Sequence, residues 1–166
     1  MRIRDAVLED VPAIVEILNY EIEHSAAIFD TEPFQLEERL QWFTQFGPTQ
    51  PCLVCEDGLV EGHVLGFAYY TALRAKAAYA FSKELTVYIH RDARKRGVGS
   101  ALYTELIERA RSQGVHVLVA VLGGDNPGSV ALHEKFGFVR SGHLREVGRK
   151  FDQWIDTHYF TKLLSE

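Results

Sequence analysis

The chain has 166 residues, 46% of them hydrophobic and 25% charged, and a formal net charge of −5. Such a length and composition suit a single soluble globular domain over 1–166, with enough apolar residues for a substantial core. The acidic balance argues against nucleic acid or an anionic membrane as partner, no apolar run reaches the roughly 20 residues of a membrane-spanning helix, and the N-terminus has no signal-type apolar region.

Ile3 opens a short strand. Asp10 reads as a helix N-cap with Pro12 in the first turn, and Val11, Ile14, Val15, Leu18 and Ile22 follow at helical spacing. A polar loop then leads to a second helix carrying Leu36, Leu40 and Phe43. Residues 51–72 read as a hairpin or meander, with turn chemistry at Asp57-Gly58 and a bulge signalled by Gly66. Cys52 and Cys55 lie in this segment. Their spacing puts them on opposite faces of a strand, and no second cysteine pair completes a zinc site. Two reduced, partly buried thiols and a cytoplasmic protein are expected, with no metal.

Residues 73–83 show no clear period. "ELTVYIH" is β-branched and aromatic, hence strand. A basic, glycine-bearing segment follows, then a helix with Val98, Leu102, Leu106, Ile107 and Ala110 on one face and Gly114 as its stop. "HVLVAVL" reads as a strand covered on both faces. "GGDNPG" is a loop, "SVALHEKF" a short helix, and two strands close the chain near 138–147 and 153–163. The total is an α/β or α+β domain of about seven strands and about four helices.

The basic segment concentrates cations in an acidic chain. Arg91, Arg94, Lys95 and Arg96 stand just ahead of Gly97 and Gly99, where strand passes into helix. Main-chain N–H groups at a helix N-terminus lack intrahelical acceptors and favour an anion, and glycine allows close approach of backbone to ligand. A diphosphate or polyphosphate ligand is the functional reading; a solvated basic loop is the plain one. The segment lacks the Gly-Lys-Ser/Thr ending of a Walker A loop, and a third glycine at dinucleotide spacing.

Two motifs in order, Arg94/Gly97/Gly99 and then Asn126, Ser129, Leu132, Glu134, Lys135, Gly137 and Phe138, resemble the GNAT superfamily of acetyl-CoA-dependent N-acetyltransferases. "RDAVLEDVPAIVEILNYEI", "FDTEP" and "GRKFDQWIDTHYF" extend the resemblance, over nearly the whole chain, to its phosphinothricin and methionine sulfoximine acetyltransferase branch. The resemblance implies the GNAT fold, a mixed, mostly antiparallel seven-stranded sheet flanked by about four helices. It also implies acetyl-CoA as cosubstrate, a small amino-acid-like amine as acceptor, and a homodimer.

It further implies roles for residues. Glu84 becomes the general base, acting directly or through water. His133 stands where many members carry a tyrosine as acid toward the CoA sulfur. It either donates a proton or hydrogen-bonds within the site. Val87, Tyr88 and Ile89 become strand contacts to the pantetheine arm, with a backbone N–H, that of Val87, on the thioester carbonyl. Arg94, Lys95, Arg96, Gly97, Val98 and Gly99 face the diphosphate, and Asn126 and Ser129 add polar contacts, unless they only cap a helix. Arg74, Ala75, Lys76 and Tyr79, with Leu85 and Thr86, become the substrate contacts. Phe29 and Trp154 read better as core than as pocket walls. Two other readings stand beside this one: a protein N-terminal or lysine acetyltransferase, and an acyl-CoA-binding module without catalysis.

Overall fold

The computed structural model describes residues 1–58 and 62–164. Seven strands form one sheet: β1 Arg2–Asp5, β2 Cys52–Glu56, β3 Val64–Ala72, β4 Ser82–Ile89, β5 Val117–Gly123, β6 Val139–Lys150 and β7 Gln153–Leu163, in the order β1-β2-β3-β4-β5-β7-β6. Four α-helices accompany them among the described residues: α1 Val11–His24, α2 Leu36–Phe43, α3 Val98–Ser112 and α4 Pro127–Lys135. None is long and apolar enough to cross a membrane.

Neighbouring strands are antiparallel except β4 and β5, which run parallel and are joined by the α3 crossover. The sheet divides the core into two layers. One holds Leu102, Leu106, Leu118, Ala120 and Phe160 beneath α3; the other holds Ile14, Leu18, Ile22, Val54 and Phe67 beneath α1. Strand alternation fixes the assignment. Cys55 falls in the first layer and Cys52 in the second, as their spacing predicts, and both thiols are buried and reduced. Burial pushes Cys52 up to about 12 and raises Cys55, so neither ionises near neutrality.

Several local expectations shift. Asp10 does not cap α1 with its side chain. A 3₁₀ turn, Leu8–Asp10, runs straight into the helix and supplies carbonyls to it. The buried Asp10 carboxylate instead accepts from the Val7 N–H at 2.8 Å and from both terminal nitrogens of Arg4. Val15 is only half-buried, and Ile17 takes the core position. The β2–β3 register slips between Cys55 and Glu56, opposite the stretch beside Gly66. A Cβ on Gly66 would meet the Tyr88 carbonyl at 2.8 Å. β4 begins at Ser82, after a 3₁₀ turn at Ala77–Tyr79, and β6 runs on to Lys150. Phe29 and Trp154 are not core residues: they are 42% and 64% exposed. Phe29 lies in a loop over the sheet, and Trp154 on the outer hairpin, where Arg149 stacks on its ring.

Candidate active site

The parallel ladder between β4 and β5 is short. It runs from Ser82↔Val117 to Leu85↔Ala120 and stops, although β4 continues to Ile89 and β5 to Gly123. Beyond Leu85 the two strands diverge, and a cleft of about 840 Å³ opens between them. Val121 is partly exposed for this reason, against the expectation of a strand covered on both faces.

The phase of the β3–β4 ladder decides what β4 offers to the cleft. Leu73 donates its N–H to the Ser82 carbonyl at 3.2 Å, and His90 donates to Leu65 at 2.9 Å. With the register Ala72↔Lys83 to Gly66↔Ile89, the even-numbered residues of β4 bond to β3. Leu85, Val87 and Ile89 therefore aim their N–H and C=O groups to the other side, and for Val87 and Ile89 that side is the cleft. Side chains alternate the other way. Leu85, Val87 and Ile89 lie on the α3 face, whereas Glu84, Thr86 and Tyr88 share the α1 face with Phe67 and Tyr69.

On the α3 face, the cleft is bounded by Arg94, Lys95, Gly97, Val98 and Gly99 and by Asn126, Ser129, Leu132 and His133. Gly97 is the N-cap of α3 and sits at φ 84°, in the left-handed region that glycine alone adopts without cost. Gly99 serves a different purpose: a Cβ there would meet Leu132 of α4 at 2.9 Å, so this glycine lets α3 and α4 approach. Arg94 is ion-paired with Glu21, a buried carboxylate of α1 that also accepts from Ser25 Oγ at 2.7 Å. Any phosphate at the loop competes with Glu21 for this guanidinium. Arg96 is turned out of the lining, 4.0 Å from Asp57.

Asn126 caps α4 by accepting the Ser129 N–H at 3.0 Å. The capping reading of Asn126 is thus correct, and the residue also stands in the cleft wall. His133 is buried. Its Nδ1 lies 2.6 Å from the Ser129 carbonyl oxygen, which can only accept, so Nδ1 carries the proton. Its Nε2, 2.6 Å from the Tyr103 hydroxyl, is then the acceptor, and Tyr103 the donor. Burial lowers the His133 pKa, opposed by the Ser129 carbonyl, and burial raises that of Tyr103. Both are neutral near pH 7, and the mobile proton of the pair sits on Tyr103. Sequence reasoning missed Tyr103, because at helical spacing between Leu102 and Leu106 it reads as plain core.

On the α1 face, Glu84 is half-buried near the point where the ladder ends. Burial raises its pKa, and Arg74, 3.9 Å away, pulls it down. Thr86 and Tyr88 continue the wall. The loop of Ser25–Phe29 covers it. Lys150, itself buried, donates to the Ile28 carbonyl at 2.8 Å, and Phe29 packs on Gly123 and Gly148, where a Cβ on either glycine would strike its ring. Phe29 thus walls the cleft, which its local sequence gave no means to see. Arg74 stands at the outer edge beside Glu84. Ala75, Lys76 and Tyr79 are exposed on the segment before β4 and do not line the cleft.

The sequence profile of the Acetyltransferase (GNAT) family matches residues 15–138. The chain belongs to the GNAT acetyltransferase family. It is 40% identical over 155 residues to an L-methionine sulfoximine/L-methionine sulfone acetyltransferase of Pseudomonas aeruginosa, covering 93% of this chain and 89% of that one. Two solved structures superpose over nearly the whole GNAT domain. A phosphinothricin acetyltransferase from Sinorhizobium meliloti, in complex with AcCoA, has a TM-score of 0.94 at 34% identity and covers 99% of this chain and 89% of its own. A ribosomal-protein-alanine N-acetyltransferase from Brucella melitensis has a TM-score of 0.92 at 39% identity, with 98% and 99% covered. The expected fold and enzyme class are therefore correct: this is a GNAT N-acetyltransferase.

Proposed function

We propose that this enzyme moves the acetyl group of acetyl-CoA to the amine of a small amino-acid-like substrate, of the phosphinothricin, methionine sulfoximine or methionine sulfone kind, by direct transfer with Glu84 as general base. The observation that carries the reading is the divergence of β4 and β5, with Glu84 on one face of the opening and the glycine loop on the other. The AcCoA complex of the Sinorhizobium relative and the substrates named for the Pseudomonas relative support it.

The donor set fits the cosubstrate. Val87 and Ile89 would pair their main chain with an amide-bearing arm as a strand edge does. The start of α3 and Arg94, with Lys95 and Arg96 at the rim, would hold the diphosphate. Asn126 and Ser129 would add polar contacts. Bound there, acetyl-CoA supplies an acetyl group activated as a thioester. The remaining work falls to this chain. Glu84 takes the amine proton, directly or through a water; an α-amino group has a reference pKa near ~8, and burial makes Glu84 a stronger base than an exposed carboxylate. The Val87 N–H polarises the carbonyl. Tyr103, oriented by His133, would donate a hydrogen bond to the departing thiolate while keeping its proton, because burial raises its pKa. Arg74, at the rim beside Glu84, would hold the substrate carboxylate, with Thr86 beneath it. Ala75, Lys76 and Tyr79 stand outside the cleft and the Leu85 side chain turns to the α3 face, so the substrate contacts expected of them are not carried over.

A panel of amines assayed for release of free CoA tests this reading. Turnover of the three small substrates, and none of a peptide with a free N-terminus, is the expected result. Preference for the peptide would shift the assignment to a protein acetyltransferase, which the Brucella neighbour's name favours. Acetyl-CoA binding with no thiol from any amine would leave only a binding module. The same proposal includes a homodimer. β6 is an edge of the sheet, and Val139, Leu144 and Val147 on it are exposed beside Trp154. Light scattering should give twice the 18.8 kDa chain mass, and a monomer would refute it.

A further inference from the structure

The outer hairpin carries a side-chain cluster that the transfer reaction does not use. His143 of β6 lies directly opposite His158 of β7, and Asp156 shares the face of His158 because it precedes it by two residues. One ligand atom from each of the three lies within 4.8 Å of the others. None of the three lines the cleft. His143 Nε2 is 2.6 Å from Asp156 Oδ2, and the two imidazoles face each other with centroids 4.4 Å apart. The second carboxylate oxygen of Asp156 accepts the Glu146 N–H at 2.8 Å, the kind of outer partner that orients a ligand. That amide first, and His143 second, hold the carboxyl below the ordinary range.

An independent observation points to a missing partner. The Nδ1 of His158 is buried and has no hydrogen-bond partner among the described residues. Buried polar atoms are nearly always partnered, and an orphan is costly. Here the orphan belongs to the residue stacked on His143 and next to Asp156.

We propose that His143, Asp156 and His158 bind one divalent transition-metal ion of the zinc, cobalt or nickel class and that the ion pins the β6–β7 hairpin. Two imidazoles and one carboxylate suit these ions; magnesium and calcium prefer all-oxygen sets. Bond lengths of about 2.0–2.2 Å in a four-coordinate site put ligand atoms about 3.4 Å apart. The short His143–Asp156 contact opens toward that spacing and the widest pair closes toward it, with the exposed His143 turning about its side-chain torsions. Three protein ligands leave a fourth position for water. The cluster sits beside the irregular stretch between Leu144 and Gly148, where β6 and β7 lose register. An ion there would cross-link the part of the hairpin that main-chain bonds hold least. The sequence does not announce such a site, because one ligand is on another strand and only the Asp-x-His pair is local.

The test uses the purified full chain, stripped with chelator. Zinc is titrated calorimetrically and cobalt by its visible absorption. One ion per chain with micromolar or tighter affinity is expected, together with a higher melting temperature. His143→Ala, at an exposed position, should weaken binding about tenfold or more, as should His158→Ala. His24→Ala, far along the chain in α1, should leave it unchanged. No stoichiometric binding at micromolar protein overturns the proposal. So does binding of unchanged affinity in both His143→Ala and His158→Ala, which would assign the ion to other histidines. The readout is metal binding, so it stands or falls separately from the transferase reading.

Discussion

The two faces of the cleft are assembled in different ways. The α3 face is made of two short contiguous stretches, residues 94–99 and 126–133, in which backbone and small residues set the shape. The α1 face is made of single side chains from distant segments: Glu21 on α1, Phe29 in the loop, Glu84 and Thr86 on β4, Val121 on β5 and Thr157 on β7. A ligand shared by a whole family can be held by main chain and a glycine junction, and so leaves a contiguous motif. A pocket for one amine needs particular side chains at particular places, and the fold delivers these from anywhere along the chain. The comparison predicts that changes on the two faces have separable consequences.

The largest effect is expected on the α1 face. Glu84→Gln keeps the shape and removes the proposed base, so kcat should fall by about 10²–10⁴-fold. The loss should shrink at high pH, where more of the amine is already neutral, and the variant's rate should climb past the pH at which the wild type levels off. A pH–rate profile checks both. A loss confined to KM would make Glu84 a positioning group instead.

On the α3 face, Tyr103→Phe removes the donor to His133 Nε2 and leaves a buried acceptor unsatisfied. A stability loss of about 1–3 kcal/mol is expected from thermal or denaturant unfolding. If Tyr103 also serves the departing sulfur, kcat falls more than this loss of structure accounts for at temperatures where the variant is fully folded. An unchanged melting temperature would contradict the buried Tyr103–His133 hydrogen bond.

What the sequence made legible follows the same division. The strand–loop–helix passage through Gly97, the β5 strand, the α3 stripe and the α4 cap at Asn126 are local patterns, and the structure reproduces them, except that β5 is uncovered at Val121. Glu84 came from family resemblance, since a lone carboxylate early in a strand has no local signature. The splay of β4 from β5 was not readable, because it depends on where a parallel ladder ends. Phe29 was read as core because nothing local shows that Gly123 and Gly148 make a seat for its ring. Asp10 does stand at the N-cap position of α1, as read, but nothing local shows that its carboxylate turns to Arg4 and the Val7 N–H instead of capping the helix.

The smallest expected effect lies at the rim. Arg74 lowers the pKa of Glu84, which burial raises. Removing the cation in Arg74→Met leaves burial unopposed, so the carboxyl's pKa must rise. The acidic limb of kcat/KM should therefore move to higher pH, by a fraction of a unit, since the pair is partly exposed and screened. A shift to lower pH would mean that the limb reports another group.

The central claim is that the faces serve different ligands, and calorimetric titration of acetyl-CoA into two folded variants tests it most directly. Gly97→Val forces a β-branched residue into a left-handed backbone at the start of α3 and should weaken acetyl-CoA binding sharply. Glu84→Gln, on the opposite face, should leave the affinity at the wild-type value. Equal weakening in both, or full affinity in Gly97→Val, would contradict the account.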